Sequence, residues 1–223
     1  MFRSSDFIYN EGMYTPNSFN QPDISTIKKL ISDFPLGLLI TSEEGKAQVS
    51  PVPFLFREDE KSSQLVAHIA RANSHWKTLE NLNECLVIFQ GHQNYISPSW
   101  YPSKKKNHKV VPTWNYEIVQ VKGNPRIIKD SNWLETQIVE LTNFMEKIRE
   151  NPWKVSDSSR DYILDQIRYL VGIQIEITEI QGKWKMSQNK SLDDVRGVVA
   201  GLSSEEDPHS NPKIASIISG MIE

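Results

Sequence analysis

Apolar positions along the chain change period several times, and each change marks an element. In "QPDISTIKKLISDF", Ile24, Ile27, Leu30, Ile31 and Phe34 recur at helical spacing, Asp23 stands where a cap belongs, and Pro35 stops the helix. "LGLLITS" and "AQVSPVPFLF" read as two strands joined by the turn "EEGK", and "QLVAHIA" as a third. "NSHWKTLENL" has a short helical pattern capped by Asn73 or Ser74. "ECLVIFQG" follows as a fourth strand. "VVPTWNYEIVQVKGNPRII" is a long fifth one, whose Pro112 puts its start on an edge. "SNWLETQIVELTNFMEKIRE" is amphipathic, with Ser131 or Asn132 as its cap, and "SSRDYILDQIRYL" forms a further helix. Alternation through Ile173, Ile175, Ile177 and Ile180 restores a strand, and two helical patterns around "SSEEDPHS" complete a polar tail.

Strands on short connections pair antiparallel, because parallel pairing needs long crossovers. Six or seven such strands remove their edges by closing into a barrel. The expected fold is therefore mainly β with flanking helices (α+β), a barrel with helices packed outside it. No glycine-rich turn joins a strand to a helix, which argues against a doubly wound dinucleotide fold.

Composition narrows the partners. The chain has 223 residues and a formal net charge of −3, so attraction for phosphate backbones has to come from a local patch. Its single cysteine, Cys85, permits no intramolecular disulfide, which suits a reducing compartment. No apolar run reaches the roughly 20 residues that cross a bilayer, and the N-terminus lacks an apolar signal core. These features predict a cytoplasmic protein with no membrane partner.

Several chemistries have no sequence support. The five histidines are scattered without a metal-ligand spacing, so no metal site is expected. Ser50, Ser97 and Ser99 lie beside prolines rather than in a nucleophile elbow, and Cys85 opens an apolar strand as a small core residue. Two clusters stand out instead. "HIARANSHWK" gathers His68, Arg71, Asn73, His75, Trp76 and Lys77 at a strand-to-helix junction, where backbone N–H groups and cations suit a phosphate, or where the polar groups simply cap the helix. In "GKWKMSQNK", Trp184 lies over a flat ring or plugs a core, with Gln188 and Asn189 offering amides. Between them, Gly91–Tyr116 combines many aromatic residues with Lys104, Lys105, Lys106 and Lys109, expected on a hairpin-like tip as a solvated run or a contact for DNA phosphates or an anionic ligand.

"HIARANSHW", "NYISPSWY", "VVPTWNYEIVQVKG" and "GKWKMSQN", in this order and spacing, resemble the PaiB family of FMN-binding-type regulators, from "MYTPNSF" to about Leu202. The resemblance implies a split β-barrel like that of the pyridoxamine phosphate oxidases and flavin reductases, a homodimer with a flavin pocket between subunits, and negative regulation of transcription with DNA or a regulatory partner. By the same resemblance, His68, Ala70, Arg71, Asn73, His75 and Trp76 match the junction that holds FMN, and Trp184, Lys185, Ser187 and Gln188 the late motif that a partner subunit brings over it. The implied organisation is an N-terminal extension at 1–12, a split-barrel domain at 13–202 with a helical insertion at about 131–168, and a helical tail at 203–223. Alternatives are a flavin-dependent oxidoreductase, a flavin reductase or pyridoxamine phosphate oxidase-like enzyme acting on a small molecule, and a haem protein using His68, His75 or His92. No residue stands out as a catalytic acid or base.

Overall fold

A computed structural model describes residues 12–59 and 62–222, without the side chain of residue 107; all but the last position of the expected 1–12 extension lies outside the described residues. The strands are β1 (Asn20–Gln21), β2 (Leu36–Glu43), β3 (Lys46–Pro53), β4 (Leu55–Glu58), β5 (Ser63–Ala70), β6 (Cys85–Ile96), β7 (Thr113–Ile128) and β8 (Leu170–Lys185). The helices are α1 (Ile24–Asp33), α2 (His75–Glu80), α3 (Lys104–Asn107), α4 (Ser131–Glu146), α5 (Arg160–Ile167), α6 (Leu192–Ser203) and α7 (Pro212–Ser219). The strands form one sheet of order β3-β2-β6-β7-β8-β5-β4, with β1 paired to β8. The β2–β3, β4–β5, β5–β8 and β2–β6 ladders are antiparallel, as the short connections predict.

The "EEGK" turn is a two-residue hairpin. Glu43 pairs with Lys46, and Glu44 and Gly45 both take positive φ, at 49° and 76°, matching the right-handed twist of the strands they join. The expected strand "AQVSPVPFLF" is broken. Phe54 leaves the ladder to donate its N–H to Pro35 O at 2.8 Å, so β3 and β4 are separate elements and the described strands number eight. Two caps also differ from expectation. Asp130, rather than Ser131 or Asn132, caps α4 by accepting from Trp133 N–H at 2.8 Å. At α2, Ser74 occupies the cap position without a side-chain bond, and Asn73 Oδ1 accepts from His75 N–H at 3.1 Å. β6 runs past the expected strand end at Gly91 as far as Ile96.

The described residues divide into two compact units. One comprises the chain up to Asp23, Gln90–Ile118 and everything from Gln181 onward, and the other comprises Ile24–Phe89 with Val119–Ile180. The second unit buries the alternate apolar positions of its strands, among them Leu39, Leu65, Val87, Val121, Ile173 and Ile175, each fully enclosed. Phe54, once out of the ladder, meets Phe89 edge-on at 6.0 Å. In the first unit, Ile96, Trp184, Val198, Leu202, Ile214 and Ile218 are buried, and α6 packs on α7. No described helix is long and apolar enough to cross a membrane.

Candidate functional site

The junction after β5 is built in the second unit. Ala70, the last residue of β5, pairs with Leu170 of β8. Arg71 then turns its guanidinium along the start of β8, donating Nε–H to Arg168 O at 2.9 Å and Nη2–H to Leu170 O at 3.0 Å. Both acceptors are neutral carbonyls, and Arg71 has no carboxylate partner among the described residues. Lys77 likewise makes no ion pair there, and its ammonium lies 5.7 Å from the Trp76 ring. Lys129 faces the same ring at 4.7 Å but is paired with Glu80 at 2.5 Å. Trp76 is locked by its Nε1–H to Arg71 O at 2.9 Å. The helix that follows has six residues, so its dipole adds little, and the cationic side chains carry the attraction for an anion.

Of the remaining junction residues, His75 is buried and His68 and Asn73 are half-buried. His75 has no exposed surface, and its Nδ1 and Nε2 each lie 2.9 Å from a hydroxyl, of Ser50 and Thr41 respectively. Burial lowers its pKa, so the ring is held neutral. Asn73 Nδ2–H donates to Ser50 Oγ at 3.2 Å, joining the same network. His68 Nδ1 lies 2.5 Å from Oε1 of Gln137, a fully buried α4 residue whose Nε2 has no hydrogen-bond partner among the described residues. Sequence inspection missed Thr41, Ser50 and Gln137, because nothing local distinguishes a polar residue that meets a histidine from across a sheet or a helix.

The late motif lies in the first unit, and most of its groups are occupied by their own chain. Trp184 is 4% exposed. Gln188 folds back, accepting from Met186 N–H and donating to Trp184 O, both at 2.6 Å. Ser187 sits at φ 68°, a left-handed position, and its Oγ accepts from the fully buried Asn115 amide at 2.9 Å. Lys185 donates to Thr113 Oγ1 and to Trp114 O. The Gln188 and Ser187 bonds hold the chain in a fixed reverse turn immediately after β8.

The aromatic stretch is mostly packing. Trp100 donates Nε1–H to Asp207 Oδ2 at 2.8 Å and lies against Gly197 and Gly201 of α6, while Tyr101 is 2% exposed. Tyr95 meets Trp114 edge-on at 6.2 Å and the His209 ring at 4.7 Å. Lys104, Lys105 and Lys106 are exposed as expected, but on one turn of helix, α3, rather than a hairpin tip. His108, at φ 54°, ends that turn. The described residues contain no cluster of His, Cys, Asp and Glu able to hold a metal ion.

As a donor set the junction fits a phosphorylated guest: Arg71 and Lys77 have no carboxylate partner among the described residues, and Lys77 stands beside the Trp76 indole. Comparison with known proteins points the same way. The family described as "Putative FMN-binding domain" matches residues 13–179. "Protease synthase and sporulation protein PAI 2" of Bacillus subtilis (strain 168) is 30% identical over 198 residues, covering 89% of this chain and 93% of that protein. An uncharacterized protein of Saccharomyces cerevisiae is 39% identical over 157 residues, 61% of this chain and 92% of its own. Among solved structures, the flavocytochrome Anf3 from Azotobacter vinelandii has a TM-score of 0.53 at 16% identity, over 74% of this chain and 69% of that one. The FAD and heme binding protein from Mycobacterium smegmatis has a TM-score of 0.55 at 12% identity, over 79% and 78%. The fold is the split β-barrel of the FMN-binding domain proteins. The chain belongs to the PaiB family of FMN-binding domain proteins.

Proposed function

We propose that this protein binds FMN as a homodimer and acts as a negative regulator of transcription. The observation that carries the flavin assignment is that Arg71 and Lys77, at one strand-to-helix junction, have no carboxylate partner among the described residues, in a chain of an FMN-binding family. Arg71 and Lys77 hold the phosphate. Ala70, Asn73 and the His75 network fix the backbone that carries them, and His68 is oriented by Gln137. Trp184, Lys185, Ser187 and Gln188, set in their turn, are contributed by the second copy. Bound FMN supplies one- or two-electron transfer, and the chain supplies orientation and exclusion of water. An apolar face supports the homodimer: Leu36, Leu38, Val49 and Pro51 are all exposed on the β2–β3 hairpin.

Titration of FMN with the purified protein, followed by flavin fluorescence, tests the assignment. Saturable quenching is expected, weakened at least tenfold by Lys77→Gln and by Arg71→Gln. Unquenched flavin at high micromolar protein, or full quenching in Lys77→Gln, overturns it. The regulatory step draws on the resemblance to the PaiB regulators and on the exposed lysines of α3. A band shift with promoter DNA that is absent even at low salt removes direct DNA binding. The oxidoreductase alternative draws on the flavoproteins that share the fold. It requires reduction of the bound flavin by NADH or NADPH in stopped flow. His75 offers no free nitrogen to a haem iron.

A further inference from the structure

We infer that Lys183, Lys185 and Lys190 form a binding site for a compact oxyanion, phosphate or carboxylate. The site lies wholly within the first unit and does not rest on flavin binding. Lys183 is only 8% exposed, yet its ammonium has no carboxylate partner among the described residues. It donates to Tyr14 O at 2.8 Å and lies 5.6 Å and 5.5 Å from the Tyr14 and Tyr116 rings. Lys185 shares the Tyr116 ring at 6.0 Å, so two ammonium groups converge on one aromatic ring. Its other partners are the hydroxyl of Thr113 and the carbonyl of Trp114, both neutral. Lys190 lies 5.2 Å from the Tyr101 ring. Burial, Lys183 and Lys190 together push the Lys185 pKa down, as expected for crowded cations, and Lys190 also interacts with the Asp194 carboxylate. The Asp194 carboxylate, which accepts from Ser103 N–H at Oδ1 at 3.1 Å, acts on Lys190 and on Tyr101, so the cations left without a carboxylate among the described residues are Lys183 and Lys185.

A second observation points to the same ligand. Tyr101 is 2% exposed, and its hydroxyl has no hydrogen-bond partner among the described residues. A buried hydroxyl without a partner is costly, and so is a half-buried cation without an anion. An oxyanion held by the lysines offsets both, since it accepts from ammonium and phenol alike. The set is distinct from the junction around Arg71 and shares only Lys185 with the late motif.

Calorimetric titration of the purified protein at constant ionic strength tests the site, with inorganic phosphate in one arm and acetate in the other. One saturable site per chain is expected for at least one of the two anions, and the arm that responds identifies the chemistry. Lys190→Gln is expected to lower affinity at least fivefold. Tyr101→Phe is expected to lower it as well while leaving the melting temperature unchanged or raised, because it removes the unpartnered hydroxyl. Lys190→Gln is expected to leave the quenching of FMN at its wild-type level, which separates this site from the flavin assignment. No saturable binding in either arm, wild-type affinity in both Lys190→Gln and Tyr101→Phe, or FMN quenching weaker in Lys190→Gln than in the wild type overturns the inference.

Discussion

His75 shows what one buried side chain does to the molecule's response to pH. Its two nitrogens are matched to hydroxyls that can each donate or accept, so the neutral ring is fully bonded. Burial depresses its folded pKa below the ordinary value of 6.5. As pH falls below 6.5 the unfolded chain takes up the proton first. The stability His75 contributes is therefore complete above that value and is lost as pH falls through the folded pKa, with a slope of at most about 1.4 kcal/mol per pH unit. Melting temperature is expected to be flat between pH 8 and 7 and to decline from 6.5 to 5, and His75→Gln is expected to flatten part of that decline. An unchanged slope in the variant counts against the assignment. From the sequence, His75 is a polar residue at a helix start. Only the folded chain brings Thr41 and Ser50 to it, from 34 and 25 positions away.

At the scale of elements, α6 is fixed by the closeness of its approach to Trp100. A Cβ on Gly201 would stand 2.4 Å from the Trp100 indole, and one on Gly197 would stand 2.1 Å from Trp100 O. Alanine in an open helix gains up to about 1 kcal/mol over glycine, so intrinsic propensity argues for Gly201→Ala. The contact decides otherwise: Gly201→Ala is expected to cost about 1–3 kcal/mol through overpacking. A lowered urea midpoint checks the sign, and a raised one refutes the packing. Periodicity located α6 in the sequence, because Val195, Val198 and Leu202 fall on one buried face. It could not show why glycines line the opposite contact, since the indole arrives from a segment a hundred residues earlier.

At the scale of the whole molecule, the β2–β3 hairpin carries the argument for assembly. Alternation along β2 buries Gly37 and Leu39 and leaves Leu36 and Leu38 at 61% and 40% exposure, while Val49 on β3 is 54% exposed. Covering this face removes apolar surface from water. Sedimentation is expected to find a species of twice the 25.7 kDa chain mass. The paired substitutions Leu38→Lys and Val49→Lys are expected to shift it to one chain mass without loss of secondary structure. A monomeric wild-type protein at micromolar concentration defeats the homodimer, and with it the contribution of the late motif by a second copy.

Periods of 2 and 3.6, punctuated by proline, glycine and capping residues, already determined the strand-rich order, the helices at 131–146 and 192–203 and the antiparallel pairing. Those are local properties, fixed by which face each residue must bury. Four short motifs likewise pointed to the family and to Arg71, Trp76 and Lys185. The partnership of His68 with Gln137, the enclosure of His75, the inward fold of Gln188 and the convergence of three lysines on tyrosine rings were decided only by the tertiary structure. Each depends on groups far apart in the chain, whose charges and hydrogen bonds interact only once folding has brought them within a few ångströms.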